Sequence, residues 1–292
     1  MRLPTTGSCR YTVLRVPMAL VPGFVVIAVA ALISGCSTPA PSSSARSCAQ
    51  PASVVLASVK ALLSSSAPLN IGVLGDSTGN SSTEWVALWA RSLATKRDVS
   101  LRLWDPVANQ YRAEAARFGK RGPSATVWNG SIPGARSADL IRQLDRLQPE
   151  APNFVLVSIG HNETRGQARE GFGSLVDAVS ATWQGRVPVV SVLQNAATAP
   201  RADRSAANIA DIRAESEARC IPSIDVFTAF SESPDLSVLI SKDRYGVHPN
   251  ERGSLLWADV VSRALGPLGD LAPETPRPYN EREEVTQAPA GE

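Results

Sequence analysis

The sequence is poor in the residues that mark metalloenzymes and nucleic-acid-binding proteins. Only two of its 292 residues are histidine and four are cysteine, with no Cys-X-X-Cys pair and no Cys/His cluster, so we expect neither a metal site nor a cofactor. The formal net charge is only +2, which gives no electrostatic attraction for nucleic acid. No repeat period occurs, which excludes a solenoid or a propeller. What the chain does have is 43% hydrophobic residues, enough to bury a sizeable core.

The first 35 residues have the composition of a secretory signal. Residues 1–17 contain three arginines and no acidic residue, and residues 18–33 are apolar throughout. This apolar run is shorter than the roughly 20 residues that a helix needs to span a bilayer. We therefore predict that residues 1–35 are a signal peptide that is removed on export.

Cys36 directly follows Ser34 and Gly35, and this short motif resembles the bacterial lipobox, in which the cysteine is lipidated and becomes the new N-terminus. The next residues, 37–47, are rich in serine, proline and alanine, which predicts an unstructured tether. We expect residues 36–50 to join a lipid anchor on Cys36 to a globular domain. The protein would then be exported and held on the outer face of the bacterial cytoplasmic membrane, in the cell envelope. An N-terminal membrane anchor with an incidental cysteine is the alternative.

Two cysteines, Cys48 and Cys220, remain when the leader and the lipidated residue are set aside. Both would lie in an oxidising compartment, where a pair of thiols tends to close, so we predict a Cys48–Cys220 disulfide. The alternative is two buried free thiols. Loss of the leader also removes three arginines, which leaves 26 basic against 27 acidic residues and argues against a polybasic membrane surface.

The body of the chain alternates between two hydrophobic patterns. Short apolar runs predict β-strands at residues 69–74, 99–104, 125–128, 153–159, 187–193 and 221–227. Helical spacing predicts helices at residues 52–63, 82–97, 137–147, 167–184, 203–219 and 250–265. This alternation predicts a three-layer α/β/α domain over residues 51–266, with a parallel sheet covered on both faces. Residues 106–124 fit neither pattern, and residues 267–292 have the composition of a disordered tail.

Four polar turns that contain glycine lie at the ends of these elements, at residues 75–79, 129–131, 160–163 and 245–250. Ligands of open parallel sheets bind at the carboxyl ends of the strands, where the first three turns fall. Both histidines of the chain, His161 and His248, lie in such turns, which packing alone does not explain. We interpret His161 as a residue that could line a pocket rather than as a second base.

The residue types in these turns suit acyl transfer, which needs a nucleophile, a base and donors for an oxyanion. Ser77 is the predicted nucleophile, because its turn is flanked by glycine and can expose the hydroxyl. The predicted base is His248. The predicted oxyanion donors are the Ser77 N–H, the Gly130 N–H and the side-chain amide of Asn162.

The same blocks, taken in order, resemble the SGNH (GDSL-type) hydrolase superfamily. They are Gly75-Asp76-Ser77, Gly130, Gly160-X-Asn162-Glu163 and His248-Pro249-Asn250, and the resemblance spans residues 70 to 265. It implies a flavodoxin-like α/β/α fold and activity on esters. Members of the superfamily include lipases, lysophospholipases, thioesterases, carbohydrate acetylesterases and some transferases.

One position departs from the family pattern. Members usually carry aspartate three residues before the histidine, where this chain has Tyr245. Asp243 lies five residues before His248, on the same loop. We predict Asp243 as the third catalytic residue, and a Ser–His dyad oriented by a backbone carbonyl as the alternative.

The predicted activity is therefore that of a monomeric serine esterase, which cleaves a carboxylic ester of a lipid or an acylated glycan at the cell envelope. Nucleic acid is not an expected partner. Two alternatives remain open at this point. One is an O-acyltransferase that uses the same serine on cell-envelope glycans, and the other is a binding lipoprotein whose site has lost activity.

Overall fold

The computed structural model describes residues 48–119 and 121–265 of the 292. The predicted signal peptide, the predicted lipidation site Cys36, most of the predicted tether and the predicted tail lie outside the described residues and stay predictions. No helix in the described part of the chain combines the length and apolar character needed to cross a bilayer.

Eight β-strands, counted over the described residues, form one sheet. They are β1 (Leu69–Gly75), β2 (Asp98–Asp105), β3 (Gln110–Tyr111), β4 (Ala116–Phe118), β5 (Ser124–Asn129), β6 (Phe154–Ser158), β7 (Val189–Leu193) and β8 (Ser223–Asp225). Every residue of β6 and β7 is buried, which explains why each strand is apolar except for one serine. The predicted parallel sheet is thus present.

The order of the strands is that of a flavodoxin-like sheet with one addition. The parallel strands β5, β1, β6, β7 and β8 are neighbours in this sequence, which is the order 2-1-3-4-5. Strand β2 is added outside β5, in parallel register. The short strands β3 and β4 both pair antiparallel with β2, and they account for much of the segment that the sequence pattern left unassigned.

Eight α-helices of the described residues cover the two faces of the sheet. They are α1 (Ala52–Ser64), α2 (Trp85–Leu93), α3 (Ser137–Ile141), α4 (Leu144–Leu147), α5 (Ala168–Thr182), α6 (Ala202–Ala218), α7 (Val226–Ser231) and α8 (Glu251–Leu265). Helices α1, α2, α7 and α8 contribute to one hydrophobic core, in which Trp85 stacks on Trp257 with ring centroids 5.4 Å apart. Helices α3 to α6 contribute to the core on the opposite face. The three-layer α/β/α prediction is confirmed.

Two predicted elements differ from the structure. The predicted helix at 137–147 is divided into α3 and α4, and the predicted strand at 221–227 ends early at Asp225, where α7 begins. Asp225 explains the second difference, because its Oδ1 accepts the Thr228 N–H at 3.0 Å and caps the new helix. A local hydrogen bond thus overrides the apolar pattern of the segment.

Cys48 and Cys220 form the predicted disulfide, with their Cα atoms 5.9 Å apart. The bridge ties the segment before α1 to the end of α6, across 172 positions of sequence. Replacing both cysteines with serine is expected to lower the free energy of unfolding by about 2–4 kcal/mol, since the unfolded chain regains freedom. Guanidinium unfolding of the double variant, beside reduced and oxidised wild type, measures this. A loss below about 0.5 kcal/mol would contradict it.

Candidate active site

The four polar turns converge at one edge of the sheet. Strand β1 lies between β5 and β6, and the turns that follow these three strands are therefore neighbours. The Ile132 N–H donates to the Gly75 carbonyl at 3.1 Å, which joins the turn after β5 to the turn after β1. This position, where the strand order reverses around β1, is where ligands of doubly wound sheets bind.

Ser77, His248 and Asp243 form a continuous hydrogen-bonded chain. Ser77 Oγ lies 2.8 Å from His248 Nε2, and His248 Nδ1 contacts Asp243 Oδ2 on the other side of the ring. Burial acts to raise the pKa of the Asp243 carboxyl, but the hydrogen bonds from His248 and from two backbone N–H groups outweigh it and hold that pKa below its ordinary value. The carboxyl is therefore ionised at neutral pH, as a partner of the His248 ring must be.

A tight turn explains how Asp243 reaches a ring five residues away. Its Oδ1 accepts the N–H groups of Tyr245 at 2.7 Å and Gly246 at 2.8 Å, so the side chain closes the turn that it begins. Gly246 has φ +65°, and a Cβ there would lie 2.6 Å from Thr198 Oγ1. Glycine is thus required both by the backbone and by the neighbouring loop.

Asn162 is oriented by the buried carboxyl of Asp76. Asp76 Oδ1 accepts the Thr78 N–H at 3.0 Å and the Thr78 hydroxyl at 2.8 Å, and its Oδ2 accepts from Asn162 Nδ2 at 3.1 Å. One N–H of the Asn162 amide is used in this way. The other has no acceptor among the described residues, so it is available to a ligand beside Ser77.

The predicted role of the Gly130 N–H does not agree with the structure. This N–H donates to the Val73 carbonyl at 2.9 Å and also approaches the Trp128 carbonyl at 3.2 Å, because Gly130 still lies beside β1. Farther along the same loop, Gly134 is exposed with φ +75°. Its N–H is the only one from residues 130–135 without an acceptor among the described residues. Gly134 is therefore a candidate donor in this loop, which the sequence analysis did not identify.

His161 is a buried structural residue and does not line the open site. Its side chain is 1% exposed, Nδ1 pairs with Ser205 Oγ at 3.0 Å, and Nε2 lies 3.1 Å from Asn195 Oδ1. Asn195 Nδ2 in turn donates to the carbonyl of Val247 at 3.0 Å, directly before His248. Burial lowers the pKa of His161, so the ring is neutral and can donate to Asn195 while it accepts from Ser205. It thereby supports the loop of His248.

Acid is expected to destabilise the fold through His161. The unfolded chain takes up a proton on this residue near pH 6.5, while the folded state resists it until its lowered pKa is reached. The free energy of unfolding should therefore fall as the pH drops below about 6.5, by up to about 1.4 kcal/mol per pH unit from this group. Denaturant unfolding across this range should show a shallower slope in His161→Gln than in wild type. Equal slopes would contradict the expectation.

Two glutamates shape the surroundings of the site. Glu163 is buried, and its Oε1 accepts both the N–H and the hydroxyl of Ser137 at 2.6 Å, which fixes the start of α3 after the Gly134 loop. Burial raises the pKa of the Glu84 carboxyl, although the N–H of Ser81, at 2.8 Å, and the charge of His248 act to lower it. Glu84 is thus a second carboxyl within electrostatic reach of His248, which the sequence analysis did not find.

The described residues contain no group of three or more histidine, cysteine, aspartate or glutamate side chains placed to hold a metal ion. The family description that matches the chain is a GDSL-like lipase/acylhydrolase, over residues 72–256. The chain belongs to this family. It is accordingly a carboxylic ester hydrolase of the SGNH superfamily. A search of curated proteins found no match.

Solved structures with the same fold are similar to this GDSL-like hydrolase at low identity. An α/β hydrolase named LAE5, from the metagenome of Lake Arreo in Spain, is 16% identical with a TM-score of 0.51, over 69% of this chain and 97% of its own. A two-domain esterase active on acetylated mannans is also 16% identical with a TM-score of 0.51, over 78% of this chain and 56% of its own. A lipase/acylhydrolase from Enterococcus faecalis is 16% identical with a TM-score of 0.48, over 67% and 93%. The similarity to LAE5 and to the two-domain esterase shows the fold of the GDSL-like domain.

Proposed function

We propose that the protein is a serine esterase in which Ser77 is the nucleophile, His248 the general base and Asp243 the residue that orients the histidine. The observation that carries the proposal is the hydrogen-bonded chain from Ser77 Oγ through both ring nitrogens of His248 to Asp243. A serine hydroxyl is a weak nucleophile unless an adjacent base takes its proton, and here the base lies 2.8 Å away.

The reaction follows in two steps that use the same groups. His248 Nε2 takes the proton of Ser77 Oγ as the oxygen attacks the ester carbonyl, and the ring then gives this proton to the departing alcohol. An acyl group remains on Ser77. Water attacks the acyl-enzyme with His248 again as base, and the acid leaves as the serine is restored. The Asp243 carboxylate stabilises the imidazolium that forms in each step.

We assign three donors to the oxyanion of this reaction. They are the Ser77 N–H, the free N–H of the Asn162 amide and the Gly134 N–H, none of which has an acceptor among the described residues. Gly134 replaces Gly130 in this set, because the Gly130 N–H is used within the fold. Preorganised donors of this kind stabilise the developing charge without reorganisation.

Asn162→Ala is expected to lower kcat by about 10²–10³-fold, because one oxyanion donor is lost while two backbone donors remain. The change should affect kcat far more than KM, since the charge that it stabilises develops in the transition state. Steady-state kinetics on a p-nitrophenyl ester measure both constants. A variant with wild-type kcat would remove Asn162 from the oxyanion hole.

The proposed substrates are carboxylic esters of a lipid or of an acylated glycan. The activity of the two-domain esterase on acetylated mannans supports the second class, since its fold is similar over most of the described domain. A chain-length series of p-nitrophenyl esters, assayed beside acetylated glycans, separates the two classes. Ser77→Ala is the control. Release of acyl groups by the wild type and not by Ser77→Ala supports the proposal. Transfer of the acyl group to an added sugar without hydrolysis would favour an O-acyltransferase. The absence of any turnover would favour a binding protein.

We further propose that the mature protein is exported and anchored through a lipid on Cys36. The motif Ser34-Gly35-Cys36, after an apolar run with arginines before it, supports this proposal. Mass spectrometry of the mature N-terminus should find a diacylglyceryl cysteine at position 36. An intact Met1, or cleavage elsewhere with release of soluble protein, would refute it.

A further inference from the structure

Four arginines lie at the turns that carry His248 and Asn162: Arg136, Arg201, Arg204 and Arg244. Arg136 follows the Gly134 loop, Arg201 and Arg204 lie at the beginning of α6, and Arg244 belongs to the loop of His248. We call them the rim arginines. No sequence motif points to them, because the fold brings them together from three separate segments.

Two rim arginines reach the histidine side of the site through Tyr245. The guanidinium carbons of Arg201 and Arg244 lie 4.7 Å and 4.6 Å from the centroid of the Tyr245 ring. That ring meets His248 edge to face, with the centroids 5.8 Å apart. Tyr245, which stands where the family pattern has aspartate, thus holds two cations beside the catalytic ring.

The other two rim arginines flank the turn of Asn162. Arg204 Nη2 donates to the His161 carbonyl at 3.2 Å, and Arg136 Nη1 contacts Thr164 Oγ1 at 3.3 Å. Burial lowers the pKa of Arg204, and repulsion from Arg201 and Arg136 lowers it further, so three guanidinium groups lie within electrostatic reach of one another. Arg204 Nε is also buried without a hydrogen-bond partner among the described residues.

The rim arginines form no ion pair with any carboxylate of the described part of the chain, in contrast to the arginines at the far end of α6. There, Arg213 pairs with Asp225, and Arg219 pairs with Glu215. Acidic side chains near the rim are engaged elsewhere or exposed: Asp243 contacts His248, Asp139 pairs with Arg142, Glu163 binds Ser137, and Asp203 is exposed on the first turn of α6. The four rim arginines are therefore without a carboxylate partner among the described residues.

We propose that Arg201 and Arg204 bind an anionic group, a carboxylate or a phosphate, on the alcohol portion of the ester substrate. The inference rests on the proposed function for its orientation. His248 hands its proton to the departing alcohol, so the alcohol lies on the side of the histidine, where Tyr245 holds Arg201. Guanidinium groups bind carboxylates and phosphates through paired N–H donors, and Arg204 Nε has no hydrogen-bond partner among the described residues.

The first test compares three acetate esters: phenyl acetate, 4-acetoxybenzoate and 4-acetoxyphenyl phosphate. The measured quantity is kcat/KM for each anionic ester divided by that for phenyl acetate, so the intrinsic reactivity of each ester cancels between variants. Replacing Arg201 and Arg204 together with glutamine should lower this ratio at least about tenfold. The matching lysine substitutions, which keep the charge, should restore much of it. Arg186→Gln removes an exposed arginine before β7, at the opposite edge of the sheet, and should leave the ratio unchanged.

Calorimetric titration of Ser77→Ala with 4-hydroxybenzoate, and with phenol as the neutral control, tests the subsite without turnover. The anion should bind at least about tenfold more tightly to Ser77→Ala than to the triple variant that also carries Arg201→Gln and Arg204→Gln. Binding without hydrolysis of any ester would refute the proposed function and leave the subsite standing. Two results would overturn the subsite. One is hydrolysis of phenyl acetate with the same ratio of kcat/KM values in all variants. The other is a preference only for p-nitrophenyl hemiglutarate, whose anionic group is on the acyl side of the ester.

Discussion

Replacing Ser77 with alanine is expected to lower kcat by up to about 10⁶-fold, and His248→Ala should have a similar effect. The two side chains act as one unit, because the serine oxygen becomes a nucleophile only as the histidine takes its proton. The double variant should therefore be little worse than either single variant. Steady-state and single-turnover assays on a p-nitrophenyl ester measure the three losses.

Ser58→Ala is a suitable control for this prediction, since Ser58 is exposed on α1 and its hydroxyl bonds only to the Val55 carbonyl. Its kcat should equal that of wild type. Full activity in Ser77→Ala would refute the mechanism. Losses that multiply in the double variant would show that serine and histidine act independently, which also contradicts the mechanism.

Asp243→Asn is expected to lower kcat by about 10⁴-fold, by analogy with the loss of the aspartate in a Ser-His-Asp triad. The amide carries no charge to stabilise the imidazolium, and it can hold the ring in the wrong tautomer. Asp259→Asn, a change at an exposed ion pair on α8, is the matched control. The kinetic comparison should cover about pH 6 to 9, where the Asp243 carboxyl stays ionised because its pKa lies below the ordinary value.

Near-full activity of Asp243→Asn over this range, with Ser77→Ala inactive, would show that the contact seen in the structure is not used. The enzyme would then work as a Ser–His dyad, with the ring oriented by the backbone. This is the alternative that the sequence leaves open, since Tyr245 occupies the position of the family aspartate.

The fold was predictable where a helix or strand buries apolar residues at a regular spacing. β6 and β7 are apolar except for one serine each because both faces are covered, and α2 and α8 carry their tryptophans at core positions. The short strands β3 and β4 carry no pattern of their own, because they exist only as partners of β2. Likewise α7 depends on a cap, Asp225, within an apolar segment.

The candidate site was predictable where chemistry depends on residue type. Ser77, His248 and Asn162 were predicted from their types and turns. The structure joins Ser77 and His248 to Asp243 in one hydrogen-bonded chain, and it bonds Asn162 to Asp76, the residue before Ser77. The prediction of the Gly130 N–H as an oxyanion donor was wrong, because whether an N–H is free depends on the register between neighbouring strands. Gly130 lies beside Val73 and uses its N–H there, whereas Gly134 has left the sheet. The rim arginines could not be predicted from the sequence, because the fold brings them together from three separate segments.

Covalent labelling can identify Ser77 as the nucleophile without any substrate. A fluorophosphonate reacts only with a serine that a neighbouring base has activated, and peptide mass spectrometry locates the modified residue. We expect one adduct, on Ser77, which is absent from Ser77→Ala and forms far more slowly in His248→Ala. An adduct on another residue, or ester hydrolysis by a protein that the probe leaves unlabelled, would contradict this expectation.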